Sequence, residues 1–161
     1  MPSTQMVMYE EEFRHIAQVI ERLGREANAK VCYLVDKNGQ LIASSGDTAN
    51  IDATSLASLT AGNIAATGGL AKLLGEREFS VLFHEGEKDN LHISLVGQRV
   101  ILVIIFDGRS SLGLVRLRVK RASQELDLIF QGLAQKTEAM AGSSSPFAEI
   151  TDADIDNLFR D

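Results

Sequence analysis

The sequence predicts an α+β fold: a five-stranded, mostly antiparallel sheet between helices, in the order α-β-β-α-β-β-β-α. Three observations carry this reading. Apolar residues recur at three- and four-residue spacing in three separate stretches, the mark of amphipathic helices. Between those stretches lie five shorter β-type runs, and neighbouring runs are joined by turns too short for parallel crossovers. One run, VILVIIF (100–106), is apolar throughout, as befits a central strand covered on both faces.

The first helix follows from Phe13, Ile16, Ala17, Ile20, Leu23 and Ala27, which fall on one stripe. Glu10, Glu11 and Glu12 are read as lying near its positive N-terminal end. The stretch VCYLVDKNGQLIASSG (31–46) is strand, turn, strand, because Asn38-Gly39 tolerates the positive backbone angles of a tight hairpin. A second helix starts near Asp52 or Thr54, either of which can cap it, and stops at about Gly75 in a left-handed conformation. The run FSVLFHEGEKDNLHISLVGQRVILVIIFDG then supplies three strands divided by the turns EGEKDN and GQR. Leu112, Val115, Val119, Ala122, Leu126, Ile129, Phe130 and Leu133 mark a last helix from about Ser111 to Thr137. Residues 1–138 thus form one domain, 139–146 a flexible linker of small and polar residues, and 147–161 a short acidic tail helix.

Composition bounds the function. The chain has 161 residues, 45% apolar and 24% charged, enough for one domain with a genuine core. No run approaches a bilayer-spanning length, and the N-terminus shows no secretory pattern. The single cysteine, Cys32, has no partner for an internal disulfide, which suits a reducing cytosol. A net charge of −6 argues against binding nucleic acid through a broad basic surface. The expectation is a cytoplasmic protein that binds neither nucleic acid nor the bilayer interior.

No active site is legible. Gly68 and Gly69 are followed by LAKLL, which does not match the phosphate-loop pattern, and they sit in a helix instead of after a strand. Cys32 lies among apolar neighbours in a strand, which favours packing over catalysis. His84 and His92 flank the EGEKDN turn closely, so a hairpin could set them opposite each other. With Glu85 and Glu87 at the rim they invite a metal reading, but a metal site needs three or four fixed ligands, so an ordinary cross-strand pair is favoured. His15 reads as solvated. Asp107 and Arg109 can be read as a base and a charge clamp; the favoured reading makes Arg109 a surface residue, with Ser110 or Ser111 capping the last helix. No catalytic residue, metal or cofactor is assigned, and the chain is not read as an enzyme.

The second helix poses the main question. Within TAGNIAATGGLAKLLG (60–75), Ala61, Ala65, Gly68, Gly69 and Lys72 lie along one ridge, while Leu56, Leu59, Ile64, Leu70, Leu73 and Leu74 supply apolar contacts around it. Each interior glycine costs a helix about 1 kcal/mol relative to alanine, so the missing side chains should gain something, namely close approach of another backbone. Either the ridge packs tightly on the protein's own sheet, or the leucines satisfy the sheet and the ridge is a separate platform for a partner. The residues alone leave both open.

Several strings point to a family: LVDKNGQLI, DATSLASLTAGNIAATGGLAKLLGE, FHEG, RVILVIIFDGRSSLGLVRLRVKRAS and the tail SPFAEITDADIDNLF. Together they resemble the bacterial Roadblock-family regulators of small Ras-like GTPases, over nearly the whole chain. The resemblance implies a homodimer whose third strand, around residues 79–84, meets its twin at the sheet edge, with both second helices side by side. It implies activation of GTP hydrolysis by an MglA-type GTPase, preferentially GTP-bound. Two copies would engage one GTPase and remodel it without inserting a catalytic residue, in cell polarity and motility and at a cell pole. The partner surface then maps to Ala61, Ala65, Gly68, Gly69 and Lys72. An arginine finger from Arg109, Arg116 or Arg118 is a minor variant. The alternative is a scaffold that localises partners and leaves hydrolysis unchanged.

The tail reads as a short binding helix. Thr151 and Asp154 form a capping-box-like pair, and Ile150, Ile155, Leu158 and Phe159 give apolar anchors at helical spacing. So short a helix orders mainly on docking, either to its own domain or to a partner. The resemblance implies that it holds the GTPase at a second place, with Phe147 and Phe159 as the aromatic anchors.

Overall fold

The computed structural model describes residues 2–143, with side-chain environments over 10–139. Its elements are α1 (Pro2–Glu26), β1 (Val31–Asp36), β2 (Leu41–Gly46), α2 (Ala53–Leu73), β3 (Val81–Glu85), β4 (Asn90–Val96), β5 (Val100–Phe106) and α3 (Leu112–Ser143). The strands form one sheet in the order β2-β1-β5-β4-β3, antiparallel at every junction. The apolar run VILVIIF is indeed the central strand, and Val100 to Ile104 and Phe106 are all buried. It bridges two hairpins, β1–β2 and β3–β4, that are distant in sequence. Losing its continuous apolar character would therefore divide the sheet.

Local signals place the boundaries. Asp36 closes the β1–β2 turn: its carboxylate Oδ1 accepts from the backbone N–H of Asn38 and of Gln40, both at 2.9 Å. Gly39 takes φ +89°, the left-handed value that ends a three-residue hairpin loop with a bulge. Asp52 is the N-cap of α2, accepting from Ser55 N–H at 3.2 Å and from the Ser55 hydroxyl at 2.7 Å. At the other end Gly75 adopts φ +77°. Its N–H donates to the Lys72 carbonyl at 3.2 Å while Glu76 N–H donates to Ala71 at 2.9 Å, the paired bonds of a Schellman stop. Ser111 caps α3 through Leu114 N–H at 3.2 Å.

Some boundaries differ from the sequence reading. Helix α1 begins at Pro2, so Glu10, Glu11 and Glu12 lie well inside it and no acidic residue occupies its first turn. Its buried stripe is Ile16, Val19, Ile20, Leu23 and Ala27; Phe13 and Ala17 are exposed. Helix α3 runs on to Ser143, so the first residues assigned to the linker continue it. Contacts divide the chain into two compact units within α3, Met1–Asp127 and Leu128–Asp161. The described part of the second is the C-terminal stretch of that helix.

In the first unit the sheet has two differently covered faces. Val31, Tyr33, Val35, Ile93, Ile101 and Val103 form a buried cluster with Ala57 of α2, ringed by half-buried Leu56, Ala61 and Ile64. Cys32, Leu34, Leu102, Ile104 and Phe106 alternate to the opposite face and are also buried. There α1 lies on β1 and β2. It is joined to the first half of α3 by ion pairs of Arg22 with Glu125 and of Arg118 with Glu26, the latter at 3.5 Å.

Candidate functional site

The side of α2 turned to the sheet is built from small residues. Ala57, Thr60 and Ala71 are its buried positions, with Ala61, Ile64 and Gly68 half-buried beside them. Of the residues expected to hold the sheet, Leu56 and Ile64 do pack against the core cluster, but Leu59, Leu70, Leu73 and Leu74 are 74, 58, 83 and 70% exposed. The physical reason is helical phase. With Ala57, Thr60 and Ala71 turned inward, the same phase turns Leu59, Leu70 and Leu73 outward onto one stripe with Ala66. Three leucines of α2 and its C-cap Leu74, all facing solvent, make an apolar surface of the kind that marks an interaction site.

The small ridge lies beside that stripe. Ala65, Gly69 and Lys72 are exposed, and Ala61 and Gly68 are half-buried. A Cβ added at Gly62, Gly68 or Gly69 would meet nothing within 4 Å. Among the described residues these glycines are therefore not required for packing, and their helix cost of about 1 kcal/mol each is offset by no contact there. Tight packing on the protein's own sheet, the blander of the two readings, does not account for them.

The β3–β4 end of the sheet adjoins this helix. Strand β3 is an edge strand, mostly exposed, with Val81 47% accessible. A shallow apolar cavity of about 380 Å³ lies between α2 and β4, lined by Leu56, Leu59, Asn63, Leu91 and Ile93. At its margin Asn63 Nδ2 lies 3.5 Å from His84 Nε2, and the Thr67 hydroxyl donates to the Asn63 carbonyl at 2.8 Å.

The paired-histidine reading is corrected by strand register. Phe83 pairs with His92, and His84 pairs with Leu91. The two histidines differ by one residue from direct opposition, so the pleat sends them to opposite faces. His84 is exposed on the α2 side, whereas His92 is buried beneath α3. Among the described residues no group of three or more His, Cys, Asp or Glu side chains is arranged to hold a metal. Cys32 is fully buried, and burial pushes its thiol up to about 12, which leaves it un-ionised and a poor nucleophile near neutrality. Asp107 holds Arg109 in a fork, with Arg109 Nε at 3.1 Å from Oδ1 and Nη2 at 3.1 Å from Oδ2. These hydrogen bonds keep the Asp107 carboxyl below its ordinary range. The Ser110 hydroxyl donates to the Ala27 carbonyl at 2.5 Å, so the loop is braced against the end of α1. No described helix is long and apolar enough to cross a membrane. The tail positions Phe147, Ile150, Ile155, Leu158 and Phe159 lie outside the described residues.

Sequence reading named the ridge and His92, but it did not anticipate the outward-facing leucines or the burial of His92 and Ser94. The last two become buried polar groups only once α3 covers β4, and no local pattern announces that.

Comparison with known proteins places this architecture. The family model of the Roadblock/LC7 domain matches residues 15–106. Among solved structures, Myxococcus xanthus MglB is 67% identical, covering 76% of this chain and 92% of that one with a TM-score of 0.75. The gliding protein MglB of Thermus thermophilus is 37% identical, covering 73% and 90%, TM-score 0.69. An MglB with a tetrameric arrangement is 36% identical, covering 73% and 89%, TM-score 0.70. No curated protein matches the chain significantly. From the matched domain and the extent of the likeness to MglB, this chain belongs to the Roadblock/LC7 family.

Proposed function

We propose that the protein is a non-catalytic regulator that binds a small Ras-like GTPase of the MglA type, preferentially in its GTP state, and stimulates its hydrolysis. The observation that carries this is the exposed face of α2: glycines with open space above them beside a stripe of solvent-facing leucines, in a chain 67% identical to an MglB. The leucine stripe and the β3 edge suit a second copy of the chain, which would bring two α2 helices side by side. The small ridge of Ala61, Ala65, Gly68, Gly69 and Lys72 then forms the floor on which the GTPase backbone rests.

Activation proceeds by remodelling the GTPase so that its own residues reach the nucleotide. Arg109, the loop arginine, is engaged by Asp107, which suits a structural role better than a finger. The acidic tail, with Phe147, Ile150, Ile155, Leu158 and Phe159, is assigned a second contact on the GTPase. Activity takes place in the cytoplasm, at a cell pole. Single-turnover GTP hydrolysis by an MglA-type GTPase, with and without this protein, tests the reading. Acceleration supports it, whereas binding without acceleration favours the scaffold alternative.

A further inference from the structure

Helix α2 is almost without charge. Over its 21 residues, Ala53–Leu73, the one ionisable side chain is Lys72, in a chain of which 24% is charged. Solvated helix faces carry charges of both signs, whereas interface cores are depleted of charge and of lysine in particular. A single lysine kept on such a face calls for a counter-charge. Its position is specific, because it follows Gly68 and Gly69 by one helical turn and neighbours both on the helix surface. No side-chain atom of Lys72 comes within 4 Å of a Cβ built at either glycine, so the space beside its stem stays open. The ammonium is exposed and, among the described residues, has neither a hydrogen bond nor an ion pair. Glu76 lies beyond the Gly75 stop and does not pair with it, and Glu78 is engaged by Lys37 at 3.6 Å. A lysine in the last turn also suits the helix macrodipole, but that does not explain why every other charge is missing from the helix.

We infer that Lys72 is a specificity-determining residue: its ammonium pairs with a surface carboxylate of the GTPase, whose chain enters the space left by Gly68 and Gly69. This rests on the proposed GTPase platform and adds the chemistry that the partner must present to it. The uncharged ridge sets how closely the two backbones approach. The one cation fixes their register, because an acid placed elsewhere on the partner would face alanine or leucine. Backbone contact on small residues carries little salt dependence, whereas a charge pair carries a measurable one.

The test is calorimetric titration of the full-length protein against a GTP-loaded MglA-type GTPase at low and at high salt, with a thermal melt and molar mass for each variant. At low salt Lys72→Gln should weaken binding about tenfold and Lys72→Glu about a hundredfold, while Lys72→Arg, which keeps the charge, stays within about threefold. Added salt should weaken the native complex more steeply than the Lys72→Gln complex. Undiminished binding by Lys72→Glu, or equal salt dependence of the native chain and Lys72→Gln, would overturn the inference. If Ala65→Arg/Gly69→Arg loses binding while Lys72→Glu does not, the platform stands and only the charge pair is wrong. Normal affinity with a lower maximal hydrolysis rate for Lys72→Gln also overturns it, assigning the cation to the nucleotide phosphates. If the native chain does not bind the GTPase, platform and charge pair fall together.

Discussion

Replacing Ala65 and Gly69 together by arginine separates the partner platform from the fold. Both positions are exposed, and a Cβ at Gly69 meets no atom within 4 Å, so two arginines can extend into solvent without steric conflict. On helix propensity alone, removing a mid-helix glycine gains up to about 1 kcal/mol and the alanine change costs a few tenths, so the chain should fold at least as well as before. If a GTPase backbone rests on these residues, overpacking costs about 1–3 kcal/mol and interfacial charge without a partner adds about 2 kcal/mol or more. A total near 3 kcal/mol weakens binding roughly a hundredfold. Calorimetric titration against a GTP-loaded MglA-type GTPase measures this, and a thermal melt and molar mass by light scattering report fold and self-association. Normal affinity in a folded, self-associated double variant would refute the assignment of the ridge.

Four other outcomes are expected. Gly68→Ala, whose new methyl enters open space, should raise stability by about 0.5–1 kcal/mol in urea unfolding; destabilisation would mean that the ridge is packed internally. His92 is held neutral by burial and then by Arg116, so its native pKa lies below its unfolded value near 6.5. The unfolded chain then binds the extra proton, and stability should fall as pH drops below about 6.5, read as a lower urea midpoint at pH 5.5 than at 7.5. A midpoint that rises on acidification would contradict the burial of His92. Arg109→Ala should keep most of the GTPase stimulation, since loss of a true arginine finger lowers the rate by orders of magnitude. Truncation after Ser145 should weaken the GTPase complex while preserving the melting temperature and the molar mass; unchanged affinity would remove the tail from the mechanism.

The fold was legible where a local pattern dictates its own environment. VILVIIF announces a doubly covered strand, and Asp52 and Gly75 bracket α2 because a cap and a left-handed stop are decided within four residues. The histidine pair fails on spacing: His84 adjoins the EGEKDN turn directly while Leu91 separates His92 from it, so a hairpin closed by Glu85 and Asn90 pairs His84 with Leu91. One residue of slip sends His84 and His92 to opposite faces. The leucines of α2 were misplaced for a related reason. A helix with both small and large apolar residues has two phases that bury hydrophobic surface, and here Ala57, Thr60 and Ala71 are the residues that end up buried. The ridge itself was visible in the sequence, because consecutive glycines in a helix interior run against propensity. Its open surroundings depend on which way that phase falls.

Light scattering during size exclusion, with the partner loaded first with GTP and then with GDP, bears on the central claim most directly. A complex of two copies of this chain with one GTPase, formed with GTP and absent with GDP, is the predicted result. Failure to form a complex with the GTP-loaded partner, or the same complex with either nucleotide, would contradict it.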